Sequence, residues 1–208
     1  MTAVAIAVLA SGRGSNLQAI LQAAQAGSCP VVVTVVIADR AQAAALEIAQ
    51  RAGVPVVQYI DPKAYENRAA FDVACGDLIT KHACQWVVLA GYMRIVSEGF
   101  VHRFSERIIN IHPALLPAFP GAHGVEDALH HGVKVSGCTV HLVDDLLDHG
   151  PILAQAAVPV LDDDDDANVL RVRIQQQEHQ LYPHTLAKMV NQGFDLIGRR
   201  VVWRGGKG

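Results

Sequence analysis

Val4-Ala-Ile-Ala-Val-Leu-Ala-Ser-Gly-Arg-Gly-Ser-Asn16 is the stretch that decides the fold. Val4 to Leu9 is a continuous apolar run, the pattern of a strand buried on both faces of a parallel sheet. Ala10 to Asn16 is a glycine and serine loop. Leu17, Ile20 and Leu21 then recur at helical spacing, with a stop at Gly27. The same alternation continues along the chain. Strands are expected at Val31 to Ile37, Val56 to Tyr59 and Trp86 to Leu89, and helices at Ala41 to Arg51 and Tyr65 to His82. Strand–helix alternation of this kind predicts an α/β, doubly wound, mostly parallel Rossmann-like sheet with helices on both faces.

Further along, the pattern predicts a strand at Ile108 to Ile111, a helix around Glu126 to His131, and strands at Cys138 to Val143 and Ile152 to Val160. The last two flank Asp148-His149-Gly150-Pro151 and so imply a hairpin-like excursion. A long helix is expected from about Ala167 to Asn191, and a short strand at Val201 to Trp203. Neither a repeat nor a linker is evident, so one domain is expected over 1–208. Its N-terminal part (about 1–105) would bind phosphate, and its C-terminal part (about 106–208) would carry catalysis and a second ligand.

The glycines of Ser11-Gly12-Arg13-Gly14-Ser15-Asn16 let backbone come close to a ligand, and the N–H groups and dipole of the following helix attract a phosphate. A dinucleotide fold would place a third glycine where Leu17 stands, although Asp39 follows the second strand where a ribose-binding acid would sit. A P-loop is excluded, because no Gly-Lys-Ser/Thr is present. The alternative is a tight turn that binds nothing.

Ile109-Asn110-Ile111-His112-Pro113 carries the chemistry. On a strand, Asn110 and His112 leave the same face, and Pro113 ends the ladder. An amide can hold a developing oxyanion, and an imidazole can transfer a proton near neutral pH. Asp148 is the carboxylate that would orient the imidazole. Taken alone, a histidine on an apolar strand is more often structural. The trio becomes the favoured reading only beside the glycine loop. His141, on an apolar strand, reads as structural, with a place near the site as the alternative. The five acids Asp162 to Asp166 lack the glycine and terminal glutamate of a calcium loop and read as a solvated loop.

Apolar residues make up 51% of the 208, enough for a large core, and the net charge of -3 argues against a nucleic-acid partner. No apolar run reaches the roughly 20 residues that span a bilayer. The N-terminus lacks the basic flank of a signal peptide. The scattered Cys29, Cys75, Cys84 and Cys138 read as reduced thiols of a cytoplasmic protein.

With these residues assembled, the chain closely resembles the folate-dependent phosphoribosylglycinamide formyltransferases over nearly its whole length. The landmarks are Ser11-Gly-Arg-Gly-Ser-Asn16, Leu89-Ala-Gly-Tyr-Met-Arg-Ile95, Asn110-Ile-His-Pro-Ala-Leu-Leu-Pro117, Gly137-Cys-Thr-Val-His141, Asp148-His-Gly-Pro151 and Gln177-Glu-His179. The resemblance implies transfer of a formyl group from 10-formyltetrahydrofolate to the amine of glycinamide ribonucleotide in purine synthesis. It implies neither a metal nor a nicotinamide. It makes Asn110, His112 and Asp148 catalytic. It places the substrate on Gly12, Arg13, Gly14, Ser15, Asn16 and Leu17, helped by Gln175 and Glu178. Folate would lie against Met93, Arg94, Ile95 and Val96, and against Asp144, Asp145, Leu146, Leu147 and Asp148, with Asn110 at the reacting end. The partners would be these small molecules, without nucleic acid or membrane, and a homodimer is left open. Tyr92 departs from the family pattern, which has Phe there. The rival readings are a formylfolate hydrolase, a formyltransferase acting on tRNA, and a nucleotide-binding dehydrogenase or sensor. Relatives acting on tRNA add a C-terminal nucleic-acid-binding domain and the hydrolases an N-terminal regulatory one; neither is expected here.

Overall fold

The computed structural model describes residues 3–162, Asp164 and 166–205; the ends of the chain, and Asp163 and Asp165 of the acidic run, lie outside the described residues. The hydrogen-bonding order of the central sheet is β3-β2-β1-β4-β5-β6-β7. These strands are β1 (Val4–Ala10), β2 (Val31–Ala38), β3 (Val56–Tyr59), β4 (Trp86–Leu89), β5 (Ile108–His112), β6 (Val135–Leu142) and β7 (Ile152–Pro159). Backbone contacts divide the chain into two compact units that meet in sequence between Ile109 and Asn110, inside β5.

In the first unit β1 pairs in parallel with β2 and β4, and β2 with β3. Ile6 to Ala10 are at most 1% exposed, which is what an uninterrupted apolar run demands of a strand with layers on both faces. Each such Ile, Val or Leu contributes about 1.5–3 kcal/mol through burial. The helices are α1 (Ser15–Gln25), α2 (Ala44–Arg51), α3 (Arg68–Lys81) and α4 (Glu98–Arg103). The start of α3 lies three residues later than the apolar pattern implied, because the Asn67 side chain accepts from Ala70 N at 2.9 Å and caps it there. Helix α4 was not anticipated: only Phe100 and Val101 of its six residues are buried, too few for a visible period.

In the second unit β6 and β7 are antiparallel, as the excursion between them required. Helix α5 covers Gly124–His131, and α6 runs Ala167–Gln192. Beyond α6 the expected lone strand is one arm of a two-stranded sheet, β8 (Phe194–Ile197) with β9 (Arg200–Trp203). The acidic run is not uniformly solvated. Asp164 is buried, accepts from Leu161 N and takes Arg173 in a two-pronged pair at 2.8 Å, and Asp166 caps α6 through Asn168 N. All four cysteines are free and buried, and burial pushes the Cys75 and Cys138 thiols up to about 12. Among the described residues no helix is long and apolar enough to cross a membrane.

Candidate active site

Strand β5 presents Asn110 and His112 on one face, and their neighbour on β6 is His141. Asp148 reaches the same point from the loop between β6 and β7. Its Oδ2 lies 3.3 Å from His112 Nδ1 and accepts from Gly121 N at 2.8 Å. Its Oδ1 lies 3.5 Å from Asn110 Nδ2 and 3.7 Å from His141 Nε2. The three residues read from the sequence are thus brought together. What sequence reasoning missed is that His141, read mainly as structural, touches two of the three. Its Nδ1 faces Leu142 O at 2.8 Å and must donate, since a carbonyl only accepts. Nε2 is then the acceptor for Asn110 Nδ2, 3.2 Å away. Its position on an apolar strand left both readings open; the pairing of β5 with β6 was the missing information.

His112 Nε2 lies 2.8 Å from Phe119 O, so Nε2 carries a hydrogen. The segment holding Phe119 is fixed by Thr139, whose hydroxyl donates to Ala114 O and accepts from Leu116 N, and by Gln155, which donates to Leu116 O. Burial lowers the His112 pKa below its ordinary 6.5, and the nearby Asp148 charge only partly offsets this. For Asp148 burial acts upward, but the neighbouring His141, the Gly121 hydrogen bond and the nearby His112 outweigh it, so its pKa is lowered. Asp148 is therefore ionised and His112 mainly neutral at neutral pH. Asp148 also has φ 49°, a left-handed backbone that costs a non-glycine residue about 1–2 kcal/mol.

A stability consequence follows. A histidine with a depressed folded pKa leaves the unfolded chain to take up protons first. Its contribution is whole above the unfolded value and declines as pH falls below it. Asp148, also depressed, adds a loss at lower pH. The thermal midpoint is expected to fall as pH drops from 7 towards 5, and His112→Asn should flatten that fall; an unchanged slope in the variant removes His112 as the cause.

In the first unit the glycine loop joins β1 to α1. Gly14 is the residue before the helix, with φ 72°, and no side chain caps the helix N-terminus. The amides of Ser15, Asn16 and Leu17 belong to the first turn, which has no intrahelical acceptors for them. The Leu17 side chain is wholly buried, so only its backbone can serve a substrate. Arg13 is exposed. The two glycines differ. A Cβ on Gly14 would lie 2.7 Å from Ala45 Cα, whereas one on Gly12 would meet nothing within 4 Å. Gly14 serves the packing of α2, and Gly12 leaves open approach. Ser11 Oγ accepts from Met93 N at 2.8 Å, fixing the segment after β4. There Met93 and Ile95 are 65% and 56% exposed, Val96 is buried, and Arg94 lies over the Phe71 ring. Asp39 is buried directly after β2.

In the second unit Gln175 and Glu178 stand on one face of α6, three residues apart, with Glu178 buried. On the β6–β7 loop Leu146 and Leu147 are exposed, and Asp145 is exposed beside them. Exposed apolar side chains at 93, 95, 146 and 147 suit a ring system in each segment. A groove of about 400 Å³ at the end of β3, between Tyr59, Tyr65, Leu78 and Lys81, includes none of the residues assigned from the sequence. Among the described residues no cluster of three or more His, Cys, Asp or Glu is placed to hold a metal ion.

Comparison with known proteins supplies the family. The formyl transferase family model matches residues 4–186. A phosphoribosylglycinamide formyltransferase of Mycobacterium tuberculosis is 48% identical over 196 residues, covering 93% of this chain and 88% of that protein. One of Bacillus subtilis is 39% identical over 184 residues, covering 88% and 93%. The crystal structure of glycinamide ribonucleotide transformylase 1 from Symbiobacterium toebii superposes with a TM-score of 0.94 at 48% identity, covering 98% of this chain and 95% of that one. The chain belongs to the formyl transferase family, among relatives that are phosphoribosylglycinamide formyltransferases.

Proposed function

We infer that this chain transfers the formyl group of 10-formyltetrahydrofolate to the amine of 5-phosphoribosylglycinamide, giving formylglycinamide ribonucleotide and tetrahydrofolate in purine synthesis. The observation that carries the reading is the Asn110–His112–His141–Asp148 cluster, with both histidines buried and Asn110 and Asp148 half-buried, in a chain of this family. The net charge of -3 agrees with an enzyme of small molecules, and a purine-synthesis activity agrees with a cytoplasmic location.

The neutral amine attacks the formyl carbon, a new C–N bond forms, and the carbonyl oxygen becomes an oxyanion. The bond to folate N10 then breaks, and a proton from the attacking nitrogen ends on N10. One Asn110 hydrogen is held by His141 at 3.2 Å; the other faces Asp148 at the 3.5 Å limit of a hydrogen bond and is free to turn to the oxyanion. His112 donates from Nε2 once Phe119 O gives it up. Phe119 O keeps neutral His112 oriented, and Asp148 supports the charged form, Oδ2 then accepting from Nδ1 as the proton moves. Gly12 to Asn16 would receive the phosphate, Gln175 and Glu178 the ribose, and residues 93–96 and 144–148 the folate.

The test is deformylation of 10-formyltetrahydrofolate followed by absorbance. Turnover that requires the ribonucleotide supports the reading. Deformylation without it makes the chain a hydrolase, and no reaction by folded protein overturns the reading. Gly12→Ala sharpens it: the unfolding midpoint should stay unchanged while KM for the ribonucleotide rises about tenfold or more, because the new methyl occupies the approach path. An unaltered KM would move the phosphate elsewhere.

A further inference from the structure

The β6–β7 loop is held from outside by the β8–β9 hairpin. That hairpin turns through Gly198 and Arg199, with Ile197 opposite Arg200. Gly198 has φ 61°, as the first position of a II′ turn requires, and the turn projects Arg199. The Arg199 guanidinium donates through Nη2 to His149 O, and its Nη1 lies 3.0 Å from both ring nitrogens of His149. His149 Nδ1 in turn lies 2.8 Å from Asp144 Oδ2, and Asp144 Oδ1 accepts from Leu146 N at 3.1 Å. Carboxylate, imidazole and guanidinium thus form a chain of alternating acceptor and donor. With Nδ1–H given to Asp144, the Nε2 lone pair faces the arginine. The chain ties together both ends of the loop, and Asp148 is the residue next to His149.

We propose that Arg199 is a positioning residue: by gripping His149 it holds the Asp144–His149 loop in the shape that presents Asp148 to His112 and offers Leu146 and Leu147 to folate. This rests on the catalytic reading of Asp148 given above. Arg199 touches neither reacting group, so its effect runs through loop order. An ordered loop spares the ligand the cost of arranging it. A loop released from Arg199 charges that cost to folate binding and misplaces Asp148 in part of the population.

The experiment compares Arg199→Ala, Arg199→Lys, His149→Ala and the Arg199→Ala/His149→Ala pair with the parent and with Asp148→Asn. Arg199→Ala should raise KM for formylfolate about tenfold and lower kcat severalfold, while KM for the ribonucleotide and the unfolding midpoint hold. Hydrogen exchange at the amides of Asp145 to Gly150 should quicken. Arg199→Lys should recover part of the loss, and the pair should be no worse than the poorer single variant, since both act through one contact. Parent-like kinetics and exchange in Arg199→Ala, with Asp148→Asn inactive, overturn the proposal. If Asp148→Asn remains active, the catalytic reading fails instead. Loop exchange then decides the role of Arg199, and unchanged exchange rejects it.

Discussion

Asp148→Asn is expected to fold like the parent and to transfer formyl groups at least about 10²–10³ times more slowly, chiefly through kcat. The substitution keeps the shape but removes one acceptor oxygen and the charge. In the parent, Oδ2 accepts from Gly121 N and faces His112 Nδ1, and Oδ1 faces Asn110 Nδ2 and His141 Nε2. An amide has a single acceptor oxygen. If that oxygen stays with Gly121, the new NH₂ points at Asn110's own NH₂. If it turns to Asn110, the new NH₂ points at the Gly121 amide. Either orientation sets donor against donor in a half-buried place, where an unmet donor costs up to about 1–3 kcal/mol. His112 loses the charge that favours its protonated form, so proton movement during transfer has no counterion. The pH dependence of stability that Asp148 contributes should vanish as well. Turnover within tenfold of the parent, in purified folded protein, would remove Asp148 from the chemistry.

The particulars show why sequence reads some of this molecule and not the rest. Strand β1 is uninterrupted Val, Ile, Leu and Ala, and β2 and β4 depart from that only at Thr34 and Trp86, so a mostly buried strand is written in the residues themselves. The β6–β7 excursion was visible because two apolar runs flank a polar Gly-Pro segment. Asn110 and His112 were legible as a pair because a strand's period of two is local. Asp148 could be put forward from its chemistry as the carboxylate for His112, but its convergence on the pair was not legible in the spacing, since a loop residue with φ 49° has no local signature. His141 looked structural for the same reason: its role comes from register between strands far apart in sequence. Strand β8 escaped because Gly198-Arg199 is a II′ turn without the Asn-Gly or Asp-Gly that announces most hairpins. Arg199's contact with His149 spans fifty residues and no pattern in either segment predicts it.

Gly150→Ala is expected to be the most damaging single substitution at the site, costing more than about 4 kcal/mol and taking activity with it. A Cβ on Gly150 would stand 1.8 Å from Leu142 O and 2.7 Å from Leu142 C. Both are backbone atoms at the end of β6, so no side chain can swing aside. The neighbouring Leu142 N donates to Pro151 O at 2.9 Å, closing the mouth of the loop. Making room for one methyl breaks that closure, and the displacement passes directly to Asp148 two residues away and to His141, whose Nδ1 donates to the same Leu142 O. Gly132→Ala is the control. Gly132 has φ 77° but nothing within 4 Å of an added Cβ, so that variant bears only the left-handed backbone strain of about 1–2 kcal/mol. Chemical denaturation of the two variants separates the effects. If Gly150→Ala loses no more than Gly132→Ala, the close approach of Gly150 to Leu142 is wrong, and the loop that carries Asp148 is held by its side chains rather than by its backbone.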